Sequence, residues 1–153
     1  MKRLVVPVLG LFGALMLIAS AFADTFEYRA GGVVVEVSRA ADRHDYAFLL
    51  LGIFAFALIL VAVGTSSKPA AIAVAAAGGA ALLLFLFSDL PDAGSTATFT
   101  GFVEAKAHPQ PGFWLELIGS LVILACGAAL ALKRQPATMR GRAEHESTRT
   151  QGA

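Results

Sequence analysis

Four apolar stretches, residues 4–23, 46–64, 70–88 and 113–132, constrain this chain more than any other feature. A helix needs about 20 predominantly apolar residues to cross the ~30 Å hydrocarbon layer of a bilayer, and each stretch has that length. The only charge in them is Glu116, one turn into the last. Unpaired backbone polar groups are not tolerated in lipid, and the runs are continuous rather than alternating, so helices are expected and a β-barrel is not. Composition agrees: 57% hydrophobic and 15% charged residues, against about 45–50% and about 25% in a soluble domain. The expected fold class is an all-α membrane protein, a four-transmembrane-helix bundle occupying residues 1–132.

The direction of threading follows from Lys and Arg in the flanks, which are retained on the cytoplasmic side. Lys2, Arg3, Lys68 and the five Lys and Arg after position 132 fall on one side, eight of the twelve in the chain. Arg29, Arg39, Arg43 and Lys106 fall on the other, together with nine of the eleven acids. Both termini are therefore expected in the cytoplasm, with loops 24–45 and 89–112 outside. Tyr28, Tyr46, Phe85, Phe87, Phe113 and Trp114 gather near the outer interface, as aromatic belts do. The first stretch also satisfies the pattern of a cleaved signal peptide, with Lys2-Arg3 ahead of it and Ala21-Phe22-Ala23 at its end. Its uncharged run exceeds the ~7–15 residues of an ordinary signal core, and Gly10, Gly13 and Ala14 form the small-residue stripe of a packed membrane helix. The direction of the later segments is the same in either case.

The outer loops predict a small β-cap made of a hairpin plus one strand. Two strand-like runs, from Thr25 and from Val33, flank Gly31-Gly32, a two-residue hairpin signal. With those glycines as the turn, Ala30 faces Val33, Tyr28 faces Val35 and Phe26 faces Val37, and Glu27 meets Glu36 as a like-charge pair. The Thr and Phe content of residues 96–103 suits a third strand, and Pro109 and Pro111 end regular structure before the last helix. On the inner side a turn over residues 64–69 joins two antiparallel helices, with Ser66 or Ser67 as N-cap and Pro69 in the first turn. Residues 133–153 read as a disordered basic cytoplasmic tail, whose cations contribute about 1 kcal/mol each against anionic lipid and serve as a stop-transfer anchor.

Chemistry is sparse. A single cysteine, Cys126, excludes an internal disulfide or a CxxC pair, and a net charge of +1 gives no field to recruit nucleic acid. No GxSxG, P-loop, GxGxxG, HExxH or EF-hand pattern is present, so no enzyme activity, cofactor or metal is expected. Glu116 shares a helix face with Gly119, Ser120, Ile123 and Gly127. That face points into the bundle, where an ionisable side chain is a functional candidate by default. The bland alternative is that Glu116 partners the helix dipole or pairs with Lys106 or a loop arginine. Asp89, Asp92 and His108 lie at the same outer helix ends and complete the set of candidate polar residues. They offer hard-cation chemistry, although turn capping explains Asp89 and Asp92 equally well. In the third stretch, Ala71, Ala75 and Gly79 form a small-xxx-small face for close packing. Its outer Leu and Phe half either packs solidly, the ordinary behaviour, or holds the helices apart around a cavity beneath the cap.

The string Ser88-Asp89-Leu90-Pro91-Asp92, with Pro111-Gly112-Phe113-Trp114-Leu115-Glu116-Leu117 opening the last helix, resembles uncharacterised small four-helix membrane proteins of GC-rich bacteria, over the second half of the chain only. The resemblance implies a fold and no activity. The layout of a strand-bearing first outer loop, a short inner turn and a second outer loop is also similar to the claudin type. The paired loop cysteines and the Trp-Gly-Leu-Trp motif of that family are missing, which leaves an analogy of architecture. Two functions follow as expectations. One is a non-enzymatic accessory or structural interaction subunit of the cell membrane, meeting a membrane partner or a second copy through small-residue helix faces. The other is a small homo-oligomeric transporter or channel component using Glu116 and Asp89 near the outer face.

Overall fold

In the computed structural model, which describes residues 2–99 and 103–132, the helical stretches and the outer strands separate into two layers. The chain runs through α1 (Lys2–Ser20), β1 (Asp24–Ala30), β2 (Val33–Arg39), a short α2 (Ala40–Arg43), α3 (Ala47–Thr65) and α4 (Lys68–Leu84). It continues through a π-helical turn (Phe85–Asp89), α5 (Leu90–Asp92), β3 (Thr96–Phe99), β4 (Val103–Pro109) and α6 (Pro111–Leu132). Three helical stretches, Ala47–Thr65, Lys68–Asp92 and Pro111–Leu132, are long and apolar enough to cross a membrane by length and composition. The apolar part of α1, Leu4–Ser20, is shorter. The basic tail expected over 133–153 lies outside the described residues.

Helix packing follows the small residues. α6 lies against both α1 and α4, and α3 against α1 and α4. Small residues let helix backbones approach closely. A Cβ on Gly78 would come 2.4 Å from the backbone nitrogen of Leu124, and one on Gly127 would come 2.2 Å from that of Ala75. Only hydrogen fits at either place. The tight seam on α4 is therefore Ala71, Val74, Ala75 and Gly78, and the expected Gly79 falls beside it, its nearest neighbour outside the helix 4.0 Å from an added Cβ. The shift is one position because the seam curves with the 3.6-residue repeat instead of holding a strict four-residue step. At the inner turn, Ser67 Oγ accepts from the Ala70 amide at 3.3 Å, with Pro69 in the first turn, as the sequence predicts.

The cap departs from expectation in strand number and register. It is a four-stranded antiparallel sheet of order β2-β1-β4-β3, not a hairpin plus one strand. β3 pairs antiparallel with β4, and it is β4, the segment ending at Pro109, that pairs with β1. Gly31 and Gly32 both have positive φ, 58° and 87°, as the tight hairpin turn requires. Ala30 faces Val33 as predicted, and Arg29 faces Val34. Beyond that point a bulge absorbs Val35, so Tyr28 faces Glu36, Glu27 faces Val37 and Phe26 faces Ser38. The slip of one residue separates Glu27 from Glu36, removing the like-charge pair that the unbulged register imposes. Glu27 instead accepts from Arg29 Nε at 2.8 Å and Gln110 Nε2 at 3.0 Å. The β2 valines do not join the buried face: Val33, Val34, Val35 and Val37 keep 46–69% of their surface exposed.

The core beneath the sheet is aromatic. Phe26 of β1 meets Phe113 of α6 edge to face at 5.6 Å, and Phe113 meets Phe85 at 4.7 Å. Phe26, Phe48, Phe85 and Phe113 are all buried there, so aromatic rings fill much of this end of the bundle. The recess of about 520 Å³ lined by Pro109, Gln110, Pro111, Trp114, Leu115 and Ile118 lies on the flank of α6 instead. Of the aromatic residues expected at the outer interface, Tyr46, Phe87 and Trp114 are exposed, whereas Tyr28, Phe85 and Phe113 are core residues.

Candidate functional site

Five segments deliver polar side chains to one place between the sheet and the bundle. The π-helical turn closes with Asp89, fully buried on the same side as Phe85. A π turn widens the helix by one residue, is rare, and recurs at functional sites. α2 brings Arg43 and His44, and the link to α3 passes through Asp45 and Tyr46, both with positive φ (46° and 63°). Two successive non-glycine residues in the left-handed region cost on the order of 1–3 kcal/mol each, which the side chains they turn inward must offset. α6 contributes Glu116, β1 contributes Thr25 and α5 contributes Asp92.

Asp89 is the hub. His44 Nε2 stands 2.9 Å and 3.0 Å from its two oxygens, and Arg43 Nε lies 3.4 Å from Oδ1. The other arm of Arg43, Nη2, is hydrogen-bonded to Asp92, and its guanidinium sits 5.0 Å over the Phe26 ring. Burial alone would lower the Arg43 pKa, but the hydrogen bond to Asp92 and the charges of Asp89 and Asp92 outweigh it and hold it above its ordinary value. Arg43 is thus a fixed cation of the cluster. His44 is also held through its ring, edge-on to Phe48 at 5.2 Å.

Glu116 occupies the inner side of the cluster with no exposed surface. Thr25 Oγ1 donates to its Oε1 at 3.3 Å, while Oε2 makes no hydrogen bond. The predicted face of α6 is confirmed, since Glu116, Gly119, Ser120, Ile123 and Gly127 are all buried. Deeper in the bundle, Ser120 Oγ donates to the Leu117 carbonyl at 2.9 Å and Cys126 Sγ to the Val6 carbonyl at 3.3 Å. Both are occupied by backbone.

Of the candidates read from the sequence, Asp89, Asp92 and Glu116 come together, Asp92 at the exposed edge. His108 does not join them: it is exposed on β4, opposite Glu27 of β1. The histidine at the cluster is His44; the loop arginine expected near Glu116 is Arg43, Lys106 lies exposed on β4, and Thr25 is a further member that the sequence does not single out. The available signal was Arg43-His44, basic residues placed immediately before an apolar span. Among the described residues no three His, Cys, Asp or Glu side chains are arranged to hold a metal ion. The chain matches no protein family and no curated protein.

Proposed function

We propose that the chain is a multi-pass, non-enzymatic protein of the cell membrane, acting as an accessory or structural interaction subunit. Four helices cross the bilayer in this reading, both termini face the cytoplasm and the sheet stands outside. The three long apolar helices support the membrane location, and the asymmetry of Lys and Arg supports the orientation. Retention of α1 as a crossing helix is supported by its seat: Gly13 lies against Val122 and Gly119, and Cys126 bonds to Val6.

The observation that carries the reading is what the ionisable side chains are engaged in. Arg43, His44, Asp89 and Asp92 bind one another, and with Thr25 and Glu116 they pin the outer sheet to the helix ends. Such a cluster is a fastening. A substrate path would need polar groups continuing inward, and Ser120 and Cys126 are spent on backbone carbonyls. The second reading, a small homo-oligomeric transporter or channel component, is favoured by one feature, the Glu116 oxygen that no donor group satisfies.

Native mass spectrometry of the full chain extracted from its own membrane separates the two. The expected result is the uncleaved chain with an unrelated polypeptide attached. A homo-oligomer carrying an ion or small molecule overturns the accessory reading in favour of transport, and a mass lacking residues 1–23 overturns the four-helix count.

A further inference from the structure

Arg29 of β1 and Lys106 of β4 stand directly opposite each other, and two residues nearer the helices Glu27 faces His108. Alternate strand residues share a face, so these four side chains lie on one side of the sheet, with Arg29, Lys106 and His108 exposed. Cations placed opposite one another destabilise a sheet. The adjacent acid is already engaged: Glu27 accepts from Arg29 Nε at 2.8 Å, from Arg29 Nη2 at 3.2 Å and from Gln110 Nε2 at 3.0 Å. Glu104 lies farther from the helices, opposite Thr98, and among the described residues no acid is ion-paired with Lys106. Two cations against Glu27 leave one net positive charge near the end of the sheet.

Gln110 connects this charge to an apolar groove. Besides holding Glu27, it lines the recess on the flank of α6 together with Pro109, Pro111, Trp114, Leu115 and Ile118. Past the recess the same side of α6 continues through Leu121: Trp114, Ile118 and Leu121 recur at i, i+4 and i+7 and keep 44–53% of their surface exposed. The first turn of α6 carries no acid, so the positive end of its dipole is unopposed at the mouth of the recess. Lys106 is three residues from Pro109, about 10 Å along the strand, and the headgroup layer on each side of a bilayer is about 5–8 Å deep. The long stem of a lysine spans the difference.

A net cation above a hydrocarbon-lined groove matches a molecule in which an anion is joined to hydrocarbon. We propose that this flank is a binding site for an anionic phospholipid of the leaflet on the sheet's side, with its phosphate between Arg29 and Lys106 and one acyl chain along the recess and the stripe below it. The proposal rests on the reading of α6 as a membrane-crossing helix. An apolar helix of a partner would match the stripe but leave the opposed cations without an anion.

The test uses the full chain in nanodiscs, with Trp114, the only tryptophan, as reporter. Lipid brominated on its acyl chains quenches a tryptophan that it touches. Brominated phosphatidylglycerol diluted in phosphatidylcholine should quench Trp114 about fivefold more effectively than brominated phosphatidylcholine diluted in phosphatidylglycerol, the preference that one net cation confers at an anionic lipid. The double variant Arg29→Gln, Lys106→Gln alters two exposed side chains, so it should fold as the wild type does, lose the preference and still be quenched by both lipids. Native mass spectrometry after detergent extraction should find one phosphatidylglycerol on the wild type and none on the double variant. Equal quenching of the wild type by the two lipids, or a preference that survives in the double variant, overturns the site and leaves α6 in the membrane. Protection of Trp114 from both lipids overturns it as well: a dimeric mass then assigns the stripe to a second copy, and a monomeric mass removes α6 from the membrane.

Discussion

Thr25 of the sheet and Glu116 of the last helix, 91 positions apart in sequence, meet in a 3.3 Å hydrogen bond with both side chains fully buried. That contact marks where the two layers of the protein are joined. It lies beside the Asp89 hub, so the strength of the joint is set by a handful of polar side chains and the phenylalanines around them.

Removing the hub should be costly. Asp89→Ala leaves the buried His44 without its carboxylate and Arg43 with Asp92 alone, and loss of one member of a buried ion pair destabilises by up to about 3–5 kcal/mol. Asp89→Asn retains shape and one acceptor and should lose less. Thermal unfolding of both variants in detergent, followed by circular dichroism, checks the order.

Phe26 connects the same two layers through apolar contact, against Phe113 and beneath the Arg43 guanidinium. Phe26→Ala should cost about 3–5 kcal/mol, the range for deleting a buried aromatic ring. Faster amide exchange confined to β1 and β4, with α4 and α6 unchanged, would mark the sheet as the part released.

Close approach between α4 and α6 makes a second, independent prediction. Gly78→Ala places a methyl 2.4 Å from the Leu124 nitrogen, and overpacking of this kind costs about 1–3 kcal/mol. Gly64→Ala, on α3 with no atom within 4 Å of the added carbon, should be neutral or stabilising by up to about 1 kcal/mol. Unfolding midpoints of the pair, measured side by side, check the contrast.

The β2 edge separates stability from association. Val33, Val34, Val35 and Val37 are half exposed or more, so Val34→Lys or Val37→Lys should change stability by no more than about 0.5 kcal/mol. A free apolar edge strand is a pairing surface, and the same substitutions should reduce the polypeptide recovered with the chain in native mass spectrometry. Unchanged recovery would place the partner on another surface.

Much of the helical layer was legible because a continuous apolar run leaves few alternatives, and the buried face of α6 followed from residue spacing around Glu116. The hairpin turn was legible in Gly31-Gly32. The bulge at Val35 was not, because a one-residue slip depends on relieving Glu27 from Glu36 and on what Phe26 packs against, both tertiary matters. β4 was missed although Val103–Pro109 alternates apolar and polar residues at every step: its inward positions are only alanines, a weak strand residue, and its place beside β1 is what makes it a strand. At the site, Asp89, Asp92 and Glu116 could be proposed from their positions at helix ends. Arg43 and His44 could not be placed, because their partners come from the distant π-helical turn and α5, and the left-handed link at Asp45 and Tyr46 that follows them has no glycine to announce it.

A double-mutant cycle between His44 and Asp89 tests the joint most directly. His44→Ala, Asp89→Ala and the double variant are unfolded in mixed micelles, with β1 amide exchange as a second readout. If the cluster fastens sheet to bundle, the two substitutions are strongly non-additive, with a coupling of about 0.5–3 kcal/mol, and either one alone releases β1. Effects that add to within about 0.3–0.5 kcal/mol, with β1 still protected, would contradict it.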